Sequence, residues 1–187
     1  MALIKSIAGN EVCDQTARNN ISNLNVGGRN LLTKTAGGTI TTTSAVSSTN
    51  GASYGMATEA FHAAAGKQVT LSCEIEMKDF VYSKRVGMEF SHGNTYIGCW
   101  YNVGSDSSTK NNVRKRISYS TTLPEAVSTW TYFNECNCYV QGAISGTCTV
   151  RNPKLELGNK PTDWTPALEE SLTLKDDGSG NVTISIL

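Results

Sequence analysis

The run QVTLSCEIEMK, Gln68 to Lys78, constrains the fold more than any other stretch of this chain. Val69, Leu71, Cys73, Ile75 and Met77 alternate without exception with Thr70, Ser72, Glu74, Glu76 and Lys78. That is the period-two pattern of a strand with one face in a core and the other in water. Fully buried, the five core-facing side chains contribute on the order of 1.5 to 3 kcal/mol each before chain entropy is subtracted.

The alternation recurs downstream. From Arg85 to His92, Val86, Met88 and Phe90 oppose Gly87, Glu89 and Ser91, and Ser91-His92-Gly93-Asn94 supplies a hairpin turn. Thr95 to Tyr101 then returns with Ile97, Cys99 and Tyr101 on one face and Tyr96, Gly98 and Trp100 on the other. A polar loop, Asn102 to Asn112, precedes strand-like runs at Arg116 to Ser120 and Thr129 to Val140. In the second of these, Trp130, Tyr132, Cys136 and Cys138 take the core parity, and Phe133 and Tyr139 the outward one. A Gln141-Gly142 turn leads into a last strand, Gly146 to Leu157. Its apolar residues are even-numbered at Cys148 and Val150 but odd-numbered at Leu155 and Leu157. The change of parity predicts a β-bulge at Pro153, a residue that cannot donate to a ladder.

The flanks read differently. Asp14 is a candidate N-cap, and Ala17, Ile21 and Leu24 fall at i, i+4 and i+7 on a narrow apolar stripe. So short a helix is marginal alone. It packs either on copies of itself or on its own sandwich, and the narrow stripe with no second helix after it favours self-association. Gly27-Gly28 makes a joint. Residues 35 to 53, dominated by Thr, Ser, Gly and Ala, are either a ragged pair of edge strands or a surface loop. At the far end, Leu172 and Leu174 face Val182, Ile184 and Ile186 across a turn at Asp177-Gly178-Ser179-Gly180. An isolated hairpin of this kind is unstable in water and needs a partner. Its Asp176-Asp177 pair lacks the remaining ligands of a calcium loop and reads as a solvated turn.

Between these parts lies VRNPKLELGNKPTDWTPALEE, Val150 to Glu170. It predicts a strand, a Gly158-Asn159 turn, and a non-helical strap in which Pro161 and Pro166 restrict the backbone around Trp164. Trp164 is assigned to structure, closing the end of a sandwich. Asn152-Pro153-Lys154-Leu155-Glu156, Gly158-Asn159 and Thr162-Asp163-Trp164-Thr165-Pro166, with Gly28-Arg29-Asn30-Leu31-Leu32 at the opening, resemble the closing and opening motifs of jelly-roll modules. Such modules, related in shape to carbohydrate-binding modules, occur in tail-fibre, baseplate and other virion surface proteins of bacteriophages and prophages. The two motifs bracket Gly28 to Glu170, most of the chain. The resemblance implies an all-β fold: an assembly segment at residues 1–27, a jelly-roll β-sandwich at 28–170 and a C-terminal hairpin at 171–187. It also implies other virion proteins and a bacterial surface polysaccharide as partners. The Asp14-Gln15-Thr16-Ala17-Arg18 start resembles stalk-proximal helices of phage fibre proteins, which implies a homotrimer, and the lack of a secretory segment predicts synthesis in a host cytoplasm.

Composition bounds the chemistry. Among 187 residues, Lys plus Arg and Asp plus Glu both number 16, so no net field argues for nucleic acid or an anionic membrane. No apolar run is long enough for a secretory or membrane-spanning segment. The six cysteines show no disulfide framework. Cys136 and Cys138 point the same way in a strand, yet neither His62 nor His92 completes a zinc-like spacing, so small buried hydrophobes are expected and no metal or cofactor. No nucleophile motif, phosphate loop or dinucleotide fingerprint occurs, which argues against an enzyme. The carboxylates Glu74, Glu76 and Glu89 leave glycoside hydrolysis as a minor alternative.

Binding is better supported, because sugar recognition uses aromatic faces and planar hydrogen-bonding groups on a rigid sheet. The outward parities nominate Tyr96, Trp100, Arg85, Glu89, Phe133 and Tyr139 as a glycan platform, with Tyr82 as a loop contributor. The alternative from another class is a structural decoration or adaptor protein of the particle.

Overall fold

The computed structural model describes residues 28–35, 40–42, 46–50, 54–56, 58–102, 109–132, 135–167, 172–176 and 182–186. In chain order the elements are β1 (Leu32–Thr33), β2 (Ile40–Thr42), β3 (Val46–Asn50), β4 (Gly55–Met56), α1 (Thr58–His62), β5 (Gln68–His92) and β6 (Thr95–Tyr101). They continue with β7 (Asn111–Thr122), a 3₁₀ turn (Glu125–Thr129), β8 (Glu135–Leu157), β9 (Leu172–Asp176) and β10 (Val182–Ile186).

Two long antiparallel strands set the architecture. β5 and β8 pair from Val69 opposite Leu157 to Ser91 opposite Glu135. On the far edge of β5, β7 covers the first half of the strand and β6 the second. On the far edge of β8, β2 pairs around Cys148 to Val150 and β3 around Tyr139 to Ala143. Each half of the long pair is therefore the centre of a four-stranded antiparallel sheet. The low-complexity stretch supplies the edge strands β2 and β3.

The two halves share one core. Val69, Leu71, Cys73, Ile75 and Met77 from the first half belong to the same buried cluster as Val86, Met88, Phe90, Cys99 and Cys138 from the second. The Cys73 thiol meets Cys99, and this hydrogen bond together with burial raises its pKa well above the usual value. The result is an all-β, sandwich-like fold. The bend between the halves falls where the β5–β8 register shifts repeatedly between Lys78 and Arg85. There Asp79 adopts a positive φ of 47° and Gly146 one of 82°. A Cβ on Gly146 would run into the Asp79 carbonyl, so only glycine serves at this corner.

Several sequence expectations are corrected. The strand expected to end at Lys78 runs on to His92, and the strand expected to break at Gln141-Gly142 passes through without a turn. Local turn chemistry loses here to continuous pairing between β5 and β8. Tyr82, expected on a loop, is a buried residue of β5. Tyr132 precedes β8 and is 56% exposed rather than in the core, since the strand parity does not extend back to it. The bulge at Pro153 is present: Asn152 and Pro153 together face Cys73 where the register slips, and Asn152 takes a positive φ of 54°. Leu155 is buried as the bulge requires, but Leu157, in the last pair of the ladder, is 40% exposed. The helical turn α1 escaped the sequence reading because five residues carry no period. Its Phe61 packs edge-on against Phe90 at 5.6 Å and closes one end of the core. The expected helix with Ala17, Ile21 and Leu24, and Phe133, lie outside the described residues.

The strap after β8 lies over the outward face of the first sheet rather than across an end. Lys154 and Glu156 point outward beside Ser72 and Thr70, yet both are buried because residues 158–163 cover them. Lys154 Nζ donates to Thr162 Oγ1 and to the Asp163 carbonyl, each at 2.6 Å, and sits 3.5 Å from the Glu156 carboxylate. Glu156 accepts the Thr162 amide at 2.8 Å and its hydroxyl at 2.6 Å. Asn30 completes the closure. Its Nδ2 donates to the carbonyls of Pro153 and Thr165, and its Oδ1 accepts the amides of Leu32 and Leu155. The opening and closing motifs thus meet through one buried asparagine, and one buried ion pair ties the strap to the end of β8. The C-terminal strands β9 and β10 form a hairpin with Leu172 opposite Ile186 and Leu174 opposite Ile184.

Candidate functional site

The second half of β5 carries the site, because a strict period of two there puts every odd residue on the outward face. Arg85, Gly87, Glu89 and Ser91 alternate with the core residues Val86, Met88 and Phe90. The ladders extend this face sideways: Gly87 lies between Trp100 and Tyr139, Glu89 between Gly98 and Asn137, and Ser91 opposite Tyr96. Arg85 stands opposite Gln141.

Two glycines make room. A Cβ on Gly87 would strike the Cys99 carbonyl, so β6 approaches closely only because that side chain is missing. The Trp100 indole lies across Gly98, whose Cβ would come within 2.6 Å of the ring. In this position Trp100 Nε1 donates to Glu89 Oε2 at 3.2 Å.

Arg85 binds the group together. Its Nε donates to Gln141 Oε1 at 3.1 Å and its Nη2 lies 3.7 Å from Glu89 Oε2. The guanidinium carbon sits 4.8 Å from the centre of the Trp100 ring and 5.6 Å from that of Tyr139, within cation–π range of both. The faces of these rings are thus taken up in part by the protein's own arginine.

The site has two tiers. Tyr96 is 54% exposed, Trp100 39%, and the Arg85 side chain 41%, whereas Glu89, Ser91, Asn137 and Tyr139 are buried beneath. In the lower tier Ser91 Oγ and Asn137 Oδ1 make no hydrogen bond among the described residues, and the Tyr139 hydroxyl lies beside the Glu89 carboxylate. Each such group costs about 1–3 kcal/mol when buried unpaired. Burial and then the Glu89 carboxylate push the Tyr139 phenol far above its ordinary pKa, so it stays protonated as a donor.

Five of the six sequence-nominated residues therefore come together on one face, four of them, Arg85, Glu89, Trp100 and Tyr139, in mutual contact; the sixth, Phe133, is not among the described residues. Tyr82 belongs elsewhere in β5. Gln141, Asn137 and the two glycines were missed. The outward parity of Tyr139 already includes Asn137, and would have reached Gln141 had the strand not been broken at Gln141-Gly142.

Of the carboxylates considered for hydrolysis, Glu74 and Glu76 share one guanidinium and Glu89 stands apart from them. Glu74 and Glu76 lie on the first half of β5, where Arg151 reaches them at 3.3 and 3.1 Å, while Glu89 lies on the second. Cys136 and Cys138 are buried in the core with their thiols pushed up by desolvation, and Cys148 is raised to about 12. No group of three or more potential metal ligands occurs among the described residues. No helix among them is long and apolar enough to cross a membrane.

No protein-family model matches the chain, and no curated protein sequence matches it. Among solved structures it is similar to the tripod (BppUct-A-L) from the baseplate of bacteriophage Tuc2009. The TM-score is 0.48 and the sequence identity 18%, with 86% of this chain and 66% of that chain covered.

Proposed function

We propose that this chain is a non-enzymatic virion surface protein, of tail or head fibre kind, that binds bacterial surface glycans through the outward face of β6, β5 and β8. The observation that carries the proposal is the two-tier cluster: exposed Tyr96, Trp100 and Arg85 above buried polar groups, two of which, Ser91 Oγ and Asn137 Oδ1, have no hydrogen-bond partner among the described residues. A hydroxyl-rich ligand brings donors and acceptors to such groups, and the aromatic rims bury its apolar faces. Tyr96 and Trp100 are four residues apart on one strand face, about 13 Å, which suits an oligosaccharide better than a single sugar ring. The opening and closing motifs support the virion setting, and a trimer of weak sites raises effective concentration on a repetitive polymer.

A glycan array probed with the whole protein tests this. Binding by the wild type that Trp100→Ala lowers at least about tenfold, the loss of one good aromatic contact, supports it. No binding, or binding indifferent to Trp100→Ala, removes it. The second reading, a structural adaptor, is favoured by the C-terminal hairpin, whose strands, among the described residues, pair only with each other. Electron microscopy of the particle with the outward face of β6 covered by another virion protein would select it.

A further inference from the structure

Resting on the glycan-binding reading above, we propose that Arg85 is the specificity-determining residue of the face and that the ligand is an anionic glycan, bearing a carboxylate or a phosphate that the guanidinium binds. Arg85 is held on four sides: Nε by Gln141, Nη2 by Glu89, and its plane by the Trp100 and Tyr139 rings. A guanidinium fixed this way has given up its conformational freedom before any ligand arrives, so little more is lost on binding. It makes no other hydrogen bond among the described residues, and two-fifths of the side chain is exposed. The remaining N–H groups form the planar fork that matches a carboxylate or phosphate.

Glu89 does not reverse this. Its carboxylate is nearly inaccessible, lies 3.7 Å from Nη2, and is bonded by Trp100 Nε1. An anion on the outer edge is nearer to the positive group than to the negative one, so attraction prevails. Glu89 is a positioning residue, which orients both Arg85 and Trp100. A neutral sugar stacking on Trp100 or Tyr139 would have to use ring faces that Arg85 already covers in part.

The test measures binding of the whole protein to three probes by titration calorimetry or on an array. These are a uronic-acid oligosaccharide, the same oligosaccharide with its carboxyls reduced to alcohols, and a phosphodiester-linked polyol polymer. Wild type is expected to hold at least one anionic probe about tenfold more tightly than the reduced oligosaccharide, as one charge-assisted contact supplies. The arm that binds tells carboxylate from phosphate. Arg85→Gln should bring that ratio close to one, Arg85→Lys should retain part of it, and Lys84→Gln, at an exposed neighbour, should keep it. Thermal melts of each variant establish that the fold is intact. Equal or tighter binding of the reduced probe by wild type overturns the proposal. So does tighter binding of that probe by Arg85→Gln, which would make Arg85 a plug over the rings. Binding to none of the probes or array glycans overturns glycan binding itself, a separate outcome.

Discussion

Glu156→Gln tests the closure of the fold at its most buried charge. The glutamine keeps one oxygen to accept the Thr162 amide, bonded at 2.8 Å in the native protein, but places an NH2 where the second oxygen accepts the Thr162 hydroxyl at 2.6 Å and removes the counter-charge 3.5 Å from Lys154 Nζ. Breaking a buried ion pair from one side costs about 3–5 kcal/mol, because the remaining charge stays desolvated. Lys154 keeps its two 2.6 Å bonds to Thr162 and Asp163. The loss should therefore sit near the lower limit, about 3 kcal/mol. Urea unfolding at pH 7, followed by tryptophan fluorescence, reads this directly. With a slope of about 2–3 kcal/mol per molar, the midpoint falls by about 1 M. The double variant Lys154→Met/Glu156→Leu leaves no stranded charge, and should lose at least about 1 kcal/mol less than the sum of the two single changes. A midpoint moved by less than about 0.3 M, or strict additivity in the double variant, would refute the claim that this pair holds the strap.

Two further outcomes follow from the sheet faces. Desolvation raises the Glu74 carboxyl, but hydrogen bonds from Asn152 and Arg151 and the charges of Arg151 and Arg116 outweigh it and hold the pKa below the ordinary value. A depressed folded pKa contributes stability above the unfolded value, near pH 4, and that contribution is lost as the pH falls through the folded value. Glu74→Gln should thus cost about 1 kcal/mol at pH 7 and nothing measurable near pH 2, checked by unfolding at both pH values, since the pair is partly exposed. Gly87→Ala should cost about 1–3 kcal/mol by forcing β6 away at Cys99. It should also shift the fluorescence of Trp100 and weaken binding at the site; an unchanged spectrum would count against the close approach.

Much of this was legible beforehand because a strand with one buried face writes its orientation in every second residue. The run from Val69 to Met77, the outward set Arg85, Glu89, Tyr96, Trp100 and Tyr139, and the bulge at Asn152-Pro153 all follow from parity alone. The same rule failed where the chain left the ladder. Tyr132 lies before β8, Leu157 at its last pair, and the strand between Lys78 and Arg85 bends through several register shifts. A bend of that kind depends on what two distant strands tolerate together, as with Gly146 against the Asp79 carbonyl.

Local pattern settled which residues face in and which face out, since the pleat fixes that residue by residue. Only the tertiary structure decided which outward residues become neighbours. Lys154 and Glu156 alternate with Leu155 and Leu157 and so take the outward parity, and the strap turns them into a buried pair. Outward parity nominates Arg85, Trp100 and Tyr139 for one platform without fixing their contacts, and pairing on both edges of β5 brings the guanidinium against both rings. Such contacts join strands far apart in sequence, and their geometry is set by register and burial rather than by any local preference.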